Sequence, residues 1–321
     1  MEHRKQSRIL EIFLRSLRGE LIKPHQLASE FHCTTRSISR DINDLKAFFS
    51  EHQEICGSIE YVYDYQERCY YLKMNDFLTS QELYAMVEVL IGARAFSKDT
   101  LKYLYSKLKG FTTPKERAFM DQLLQKELSQ YRQVRHDRED MISLLWNLST
   151  YIHEKKEITI DYYKMDRSFV TYRIIPLAVL FQDYYFYLIA CKCDDEKKEP
   201  RYFRVNRIET IQVHRQVLHP HLYTFDEGDF RNHNLLMWPG AKRVIQFEFS
   251  GPSLQAVLDK LPHAKVLKKT KEHSYLIEVA TQGDGIKMWL LSQRSWVKVV
   301  APKDFVEEMK AEINSMLALY Q

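Results

Sequence analysis

An α+β protein of several domains is predicted by three changes of hydrophobic pattern along the 321 residues. Apolar residues recur at helical spacing up to about residue 156, apart from one short alternating stretch near residue 65. The period changes to two between residues 157 and 213, and strand-like and helix-like segments alternate from Val244 onward. The predicted domains are therefore residues 1–75, 76–156, 157–235 and 236–321.

Bulk composition excludes several classes of protein. With 45% hydrophobic and 28% charged residues, the chain is expected to be globular rather than disordered. The longest run without polar or charged groups, residues 174–181, has eight residues, whereas a bilayer span needs roughly 20. The N-terminus lacks the apolar segment of a signal peptide, so a cytoplasmic location is expected. Five cysteines without a CxxC pair indicate reduced thiols.

The first 75 residues predict a winged helix-turn-helix. Residues 7–17 have helical spacing before Gly19, and "KPHQLASEF" predicts a short second helix with Pro24 in its first turn. Thr34 is a suitable N-cap for a third helix that extends to about residue 49. "SIEYVYDYQERCYYLK" alternates and predicts a hairpin that turns at residues 64–68.

The third helix has two chemically different faces. One is apolar, and the other carries two arginines one turn apart together with hydroxyl and amide side chains. Such a helix is about 24 Å long and fits a major groove about 12 Å wide. On an isolated helix a solvated face is the simpler interpretation, but the neighbouring helix, turn and hairpin favour DNA contact. The apolar face comprises Ile38, Ile42, Leu45 and Phe49, and the predicted DNA contacts are Thr34, Thr35, Arg36, Ser37, Ser39, Arg40 and Asn43, with Arg4, Arg8 and Arg68 on phosphates.

The overall charge supports this interpretation only weakly. The net charge of the chain is +4, and residues 1–46 contain nine Lys/Arg and six Asp/Glu, which gives +3 in that segment.

Residues 76–156 predict a helical connector, because two Thr-x-x-Glu capping boxes, Thr79 to Glu82 and Thr113 to Glu116, precede apolar-periodic runs. Four strand-like runs follow: "EITIDYY", "VTYRIIPLAVLF", "YYFYLIACK" and "RYFRVNRIETIQV". In the last domain, strands are predicted at residues 244–249, 273–280 and 296–300, and helices at 252–261, 284–291 and 303–320. The basic run "KVLKKTKEH" is interpreted as a solvated turn.

The β domain offers aromatic side chains beside cations. Tyr185, Tyr187 and Ile189 share one face of a strand, and because the opposite face must be core, this face is expected to present tyrosines. Arg204 follows Tyr202 and Phe203. Aromatic rings beside fixed cations can stack a base and hold a phosphate, and the alternative is a tyrosine-rich contact between domains or subunits.

One detail of this predicted site stays open. Arg207 is out of alternation with Arg204, so the two share a pocket only if the strand bends or ends nearby.

These segments resemble bacterial transcription regulators that carry a WYL domain. The family's recognition helix has a Ser/Thr-x-x-Thr/Ser-x-x-Arg-Asp-Ile-x-x-Leu run, matched here by Thr34, Ser37, Arg40, Asp41, Ile42 and Leu45. "IIPLAVLFQDYYFYLIACK" is similar to the segment with the name-giving Trp-Tyr-Leu, which here is Phe186-Tyr187-Leu188. "YFRVNRIETI" is similar to the family's Phe-Arg-Leu-Asp-Arg-Ile, with Asn206 in place of the Asp. In the wing, Cys69-Tyr70 replaces a frequent Gly-Tyr.

The resemblance implies an Sm-like small β-barrel that senses a nucleotide or single-stranded nucleic acid, followed by a ferredoxin-like α+β extension, named WCX, that takes part in dimerisation. It further implies a homodimeric regulator, by default a repressor, on a palindromic double-stranded DNA operator. The candidate ligand contacts are Tyr162, Tyr163, Arg173, Tyr185, Tyr187, Tyr202, Arg204 and Arg207.

Two alternatives from other classes remain. "HPHLYTFDEGDF" contains His219, His221, Asp226 and Asp229, but it completes no metal-binding spacing, so a solvated loop is the expected structure. The second hypothesis is a nucleic-acid-processing enzyme or its accessory subunit that uses the β domain as a single-strand binding platform, and an interaction scaffold is the third. No catalytic residue, metal or cofactor is predicted, because nucleophile elbows, dinucleotide fingerprints and phosphate-binding glycine loops are absent from the sequence.

Overall fold

The computed structural model describes residues 5–57, 59–74, 78–112, 114–134, 140–217, 223, 225–238, 240–271 and 273–321. The chain divides into two compact units, Met1–Glu139 and Asp140–Gln321. Each unit contains helices and an antiparallel sheet, so the predicted multidomain α+β class is confirmed. Within the described residues, every helix is too short or too polar to cross a bilayer.

The first unit begins with the three predicted helices and the predicted hairpin. The helices are α1 (Lys5–Leu17), α2 (Pro24–Glu30) and α3 (Thr35–Glu51), followed by one turn of helix, α4 (Gln53–Cys56). Strands β1 (Ile59–Asp64) and β2 (Cys69–Met74) pair antiparallel. A shared core that includes Ile12, Leu27, Ile42 and Tyr61 holds these elements together.

Local signals set the ends of these helices. Gly19 has a φ of 75°, a left-handed conformation that glycine adopts without steric cost, and it follows the end of α1. Pro24 is the first residue of α2, where its missing N–H would have had no helical partner. The Ile22 and Tyr70 backbones exchange hydrogen bonds of 2.8 Å, which ties the α1–α2 connection to β2.

The remaining described residues of the first unit are mainly helical, as predicted. It contains α5 (Ser80–Ala93), α6 (Lys98–Leu108), a 3-10 turn (Lys109–Phe111) and α7 (Pro114–Gln130). The Thr79–Glu82 capping box is confirmed, because the Glu82 carboxylate accepts from the Thr79 backbone N–H while the Thr79 hydroxyl accepts from the Glu82 N–H. The second predicted box depends on Thr113, which lies outside the described residues.

The second unit begins with α8 (Met141–His153) and a five-stranded antiparallel sheet. Its strands are β3 (Lys156–Tyr163), β4 (Phe169–Gln182), β5 (Tyr185–Lys192), β6 (Pro200–Arg204) and β7 (Ile208–Gln216), in the order β6-β5-β4-β3-β7. We expected α8 to belong to the connector that ends at residue 156. Instead it packs against β3 and β4 and buries Met141, Leu144 and Leu148.

A short helix, α9 (Glu227–His233), precedes the C-terminal sheet. That sheet contains β8 (Lys242–Phe249), β9 (Lys265–Lys271), β10 (Ser274–Gln282) and β11 (Val297–Ala301), in the antiparallel order β11-β8-β10-β9. Helices α10 (Leu254–Lys260), α11 (Gly285–Ser292) and α12 (Lys303–Ala318) contribute to a core centred on Phe247 and Phe305.

One prediction in this region is wrong. The basic run at residues 265–271 is the edge strand β9 rather than a turn, because its backbone pairs with β10.

Candidate functional site

Helix α3 presents a polar face to solvent. Arg36, Arg40 and Asn43 are exposed and form no hydrogen bond or ion pair with another described residue. On the opposite face, Ile38 and Ile42 are 0% exposed. The face that we predicted to bind DNA is therefore available, and the predicted apolar face is core.

The start of α3 is fixed by its own hydroxyl groups. The Thr34 hydroxyl accepts a hydrogen bond of 3.2 Å from the Ser37 backbone N–H, as predicted for an N-cap. The Thr34 and Ser37 hydroxyls are themselves 2.9 Å apart. Thr35 and Ser39 are half-buried, so Arg36, Arg40 and Asn43 extend furthest from the helix.

Arg8 does not have the position expected of a phosphate contact. Its Nε and Nη2 atoms lie 2.5 and 3.2 Å from the two carboxylate oxygens of Asp41, and the two side chains are only 12% and 1% exposed. This pair joins α1 to α3 inside the unit. A parallel pair between Lys5 and Asp44, at 2.8 Å, lies in solvent. Arg4 is outside the described residues.

The hairpin turn exposes the third predicted phosphate contact. The Asp64 carboxylate accepts hydrogen bonds from the backbone N–H groups of Gln66 and Glu67 at 2.8 and 3.1 Å, which shapes the turn. Arg68 has a φ of 49° and an exposed side chain. Its side chain is therefore at the surface, and the phosphate contact itself stays a prediction.

In the second unit, Arg204 stacks on Tyr185. The guanidinium carbon lies 3.3 Å from the ring centroid, and Nε donates to the Asn206 side-chain oxygen at 3.2 Å. The backbone N–H of Arg204 donates to the Tyr162 hydroxyl at 3.1 Å. Across the strands, Arg204 is opposite Tyr187. A cation with an aromatic support is thus fixed at the end of β6.

Arg207 follows Arg204 closely because the strand ends there, and we call Tyr185, Arg204 and Arg207 the Arg204 group. Strand β6 stops at Arg204, and residues 205–207 form a 3-10 turn before β7. Burial, followed by the positive charge of Arg207, lowers the pKa of Arg204, so the two guanidinium groups are within electrostatic reach. Neither arginine forms an ion pair with a described carboxylate. The strand end that we named as a condition for a shared site is present.

The expected open tyrosine face is partly covered. Tyr187 and Tyr202 pack in a cluster with Phe230 and Met237, and the Tyr202 and Phe230 rings meet edge to face at 5.3 Å. The Asn234 amide donates to the Tyr202 hydroxyl at 3.1 Å. Burial raises the pKa of both tyrosines. Phe230 and Met237 therefore cover the part of the expected tyrosine face that carries Tyr187 and Ile189, whereas Tyr185 is not part of this cluster.

Two more predicted ligand contacts have different surroundings. Tyr162 is 7% exposed and packs edge to face on Phe203 at 5.4 Å, so it supports Arg204 from within the core. Tyr163 is exposed beside the β3–β4 hairpin turn, with its ring 5.0 Å from that of Phe169.

Arg173 is not part of the Arg204 group. It pairs with Glu157, and its carbonyl accepts from the Cys193 backbone N–H at 3.0 Å. Cys193 is six residues beyond Tyr187, which corresponds to about 20 Å along a strand. Arg173 instead borders a separate surface depression of about 520 Å³, which is lined by Glu157, Thr171, Tyr172, Arg173, Cys193 and Asp194.

Comparison with known proteins identifies the five-stranded region. The family model described as "WYL domain" matches residues 143–213. The protein contains a WYL domain. A search of curated protein sequences found no match. The WYL match includes α8 from Ser143 onward, all five strands up to residue 213 and both arginines of the Arg204 group.

Two solved structures are distantly similar to the chain. Proteasome accessory factor B/C (PafBC) of Arthrobacter aurescens is 16% identical over 99% of this chain and 49% of its own, with a TM-score of 0.30. A protein described as "a CRISPR Cas-related protein" is 14% identical over 77% of this chain and 75% of its own, with a TM-score of 0.40. The chain thus spans about half the length of PafBC.

Three residues that contact the predicted site residues could not be found from the sequence. Asp41 and Asn206 belong to sequence motifs, but no sequence pattern links Asp41 to Arg8 or Asn206 to Arg204. Phe230 lies in the region that we interpreted as a loop, although the Asp226 carboxylate caps a helix there by accepting from the Asp229 N–H at 2.8 Å.

No metal site is supported where structure is described. No cluster of three or more His, Cys, Asp or Glu side chains suited to a metal is found among these residues. Of the four candidate ligands, His219 and His221 lie outside the described residues. Asp226 caps α9, and Asp229 pairs with His233 and Lys242.

Proposed function

We propose that the protein is a DNA-binding transcription regulator whose WYL domain senses an anionic nucleotide or single-stranded nucleic acid. The observation that carries the proposal is the exposed face of α3, where Arg36 and Arg40 lie unpaired among the described residues on a helix whose opposite face is core. In this interpretation α1–α3 and the β1–β2 hairpin form a winged helix-turn-helix.

The dimensions and chemistry of α3 suit a major groove. Seventeen residues make a helix about 25 Å long, and Arg36 and Arg40 are one turn apart. Arginine forks bind guanine edges or phosphates in bidentate geometry, and Asn43 offers both a donor and an acceptor. The exposed Arg68 in the hairpin turn is placed to hold a phosphate of the flanking backbone.

Charge and stacking support an anionic ligand at the Arg204 group. Asn206 accepts a hydrogen bond from Arg204 but carries no charge, whereas the resembling family has an aspartate there. Arg204 and Arg207 therefore lack a described carboxylate to neutralise them, which favours binding of a phosphate. The Tyr185 ring, already stacked on Arg204, adds the aromatic surface that nucleotides prefer.

The remaining parts of the proposal concern assembly and signalling. We interpret the β6-β5-β4-β3-β7 sheet with α8 as the expected Sm-like barrel, and the β11-β8-β10-β9 sheet as the expected ferredoxin-like WCX extension. A homodimer would place two α3 helices on a palindromic operator, by default as a repressor. Ligand would act by favouring one arrangement of the two α3 helices over another.

A DNA-selection experiment tests sequence-specific DNA binding by α3. The full-length protein is used to select duplexes from a random pool, and the enriched site is footprinted. Arg36→Ala and Arg40→Ala should each weaken the selected site by about 1–3 kcal/mol and relax its base preference. Arg132→Ala, which removes an exposed arginine just beyond α7 in the same unit, is the matched control. Unchanged footprints in both α3 variants, or no enrichment by the unmodified protein, would contradict the proposal.

A ligand experiment tests the input. Fluorescent oligonucleotides and mononucleotides are titrated onto the protein with and without operator. Arg204→Ala should lose ligand binding and the ligand's effect on operator affinity, while binding to operator alone stays unchanged. Arg215→Ala, an exposed arginine on β7, is the control. A ligand response that survives Arg204→Ala would remove this site from the mechanism.

A further inference from the structure

The edge strand β9 concentrates positive charge. Its sequence, KVLKKTK, contains four lysines and no acidic residue, which gives +4 in seven residues. The whole chain has the same net charge of +4, so elsewhere its acidic and basic residues balance. All four lysine side chains are exposed. Lys260, at the end of α10, adds a further exposed cation close by in the sequence.

Most of this charge is not neutralised across the sheet. Lys265 is opposite Glu278, but Lys268 and Lys269 are opposite Leu276 and Tyr275. Lys271 is opposite Ser274. Among the described residues, none of these lysines forms an ion pair within 4 Å.

Some lysines elsewhere on the surface do have acidic partners. Lys73 pairs with Glu60 at 3.2 Å across the hairpin, and Lys310 pairs with Glu307 at 2.8 Å on α12. Single exposed lysines such as Lys298 and Lys303 also lack a described ion pair, so what distinguishes β9 is the density of four exposed lysines in seven residues.

Protection of a sheet edge does not require this arrangement. Charged side chains, especially lysine, discourage edge-to-edge pairing of strands, but that role does not call for lysine at four of seven positions. Four lysines in seven residues repel one another, and that repulsion is relieved when an anion lies along the strand. The pattern therefore points to an anionic partner in addition to edge protection.

We propose that β9 is a phosphate-binding edge that contacts the sugar–phosphate backbone of a nucleic acid. Six steps from Lys265 to Lys271 span about 20 Å, so exposed lysines on both sides of this edge strand line a stretch that a linear polyanion can follow. Lysine is a point charge that binds phosphate without reading bases, which suits a positioning contact. The choice of nucleic acid over an acidic protein rests on the proposed function, which already places such a polymer on the chain.

The start of β9 is close to the segment that covers the WYL sheet. His263, two residues before β9, stacks on His233 of α9 with ring centroids 4.7 Å apart and an angle of 6° between the rings. Residues just beyond α9 contact the sheet through Asn234 and Tyr202. A polymer along β9 thus begins beside the element packed on Tyr202, so both duplex and single-stranded nucleic acid have to be tested.

The test is the salt dependence of nucleic-acid affinity in the full-length protein. The triple variant K268Q/K269Q/K271Q removes the three lysines that lack an acidic residue opposite. Each phosphate contact contributes about 0.9 to the slope of log affinity against log salt for duplex DNA, and about 0.7 for a single strand. The slope should therefore fall by about 2 to 3 for whichever polymer lies on β9. The probes are the selected operator duplex and a 20-nucleotide single strand of mixed sequence.

A matched control separates a local contact from net charge. K298Q/K303Q/K310Q also removes three exposed lysines from the same domain, but from β11 and α12, with β11 at the opposite sheet edge from β9. The control should keep the slope of the unmodified protein. Circular dichroism and the unfolding temperature check that both variants fold.

The outcomes are distinct. A reduced slope for duplex alone places β9 on operator DNA, and a reduced slope for the single strand alone places it on the effector. Equal slopes for the β9 variant and the unmodified protein overturn the inference but leave the proposed function intact. An unmodified protein with no salt-dependent affinity for either probe overturns both. Loss of binding to anionic lipid vesicles with unchanged nucleic-acid slopes would assign β9 to a membrane surface and overturn the inference.

Discussion

The two ion pairs between α1 and α3 should differ greatly in their effect on stability. Arg8 and Asp41 are almost entirely buried, and both carboxylate oxygens accept from the guanidinium. Arg8→Ala leaves the Asp41 carboxylate buried without a cation, a change that costs roughly 3–5 kcal/mol. Lys5 and Asp44 are 57% and 44% exposed, so Lys5→Ala should cost about 0–1 kcal/mol.

The measurement is amide hydrogen exchange followed by mass spectrometry on the intact chain. A local method is needed because a chain with two compact units need not unfold in a single transition. Peptides from α1 and α3 report the free energy of opening. A loss of 3 kcal/mol corresponds to exchange about a hundredfold faster. Lys5→Ala should change the rate by less than about fivefold.

A double variant tests the cause. Arg8→Met with Asp41→Leu removes both charges and keeps most of the volume, so its opening free energy should approach that of the unmodified protein. If Arg8→Ala exchanges as slowly as Lys5→Ala, then Asp41 is not held as a buried charge. Arg8 would in that case be free to bind phosphate, as the sequence first suggested.

Three further predictions concern the second unit. Hydrogen bonds from Lys287, and then from Arg243, lower the pKa of Glu308. The stability that ionised Glu308 contributes is therefore present above about pH 4.5 and is lost as the pH falls through the lowered pKa. The decrease in unfolding temperature caused by Glu308→Gln should be larger at pH 7 than at pH 3. Burial raises the pKa of Cys191 to about 11, so iodoacetamide should alkylate it about a hundredfold more slowly at pH 8 than a thiol of pKa 9, with a rate that rises up to pH 11. Gly285→Ala should reduce the free energy of unfolding by about 1–3 kcal/mol and so lower the unfolding temperature, because the added Cβ would lie 1.8 Å from a backbone oxygen.

The control for the Gly285 experiment lies within the same chain. Gly92 is also in a helix, but a Cβ there has no atom within 4 Å, so Gly92→Ala should raise stability by up to about 1 kcal/mol. Equal effects at the two glycines would contradict the steric explanation. Fast alkylation of Cys191 at pH 8, or a Glu308→Gln deficit that is unchanged at pH 3, would refute the other two.

The spacing of apolar residues correctly predicted the elements that have one solvent-exposed face. Helix α3 is the clearest case, because Ile38, Ile42, Leu45 and Phe49 recur at helical spacing and are all buried. The β1–β2 hairpin and the Thr79–Glu82 capping box could also be predicted from the sequence, since each depends on residues close together in the chain. Local patterns were sufficient wherever local contacts determine the structure.

Strand β9 could not be predicted in this way. Its lysines point to both sides, so the sequence lacks the alternation of a strand that covers a core. It is a strand because the backbone of β10, a few residues later, offers a partner for its hydrogen bonds. Tertiary pairing overrode the low strand propensity of lysine.

The candidate sites were predicted by residue type but not by surroundings. The sequence identified Tyr185, Arg204 and Arg207, yet only the 3-10 turn after β6 shows that the two arginines are neighbours. Arg8 and Asp41 are 33 residues apart, and no periodic pattern links them. Whether a polar residue faces solvent or an internal partner depends on contacts between distant segments.

The packing of residues 225–237 on β5 has a consequence for how the WYL domain can be cut out of the chain. The family match ends at residue 213, but Leu180 and Ile189 are shielded by Phe230 and Met237, more than fifteen residues further on. A fragment that stops at the family boundary would expose those apolar side chains and invite aggregation. The shortest piece that keeps its own surface closed extends to at least residue 237.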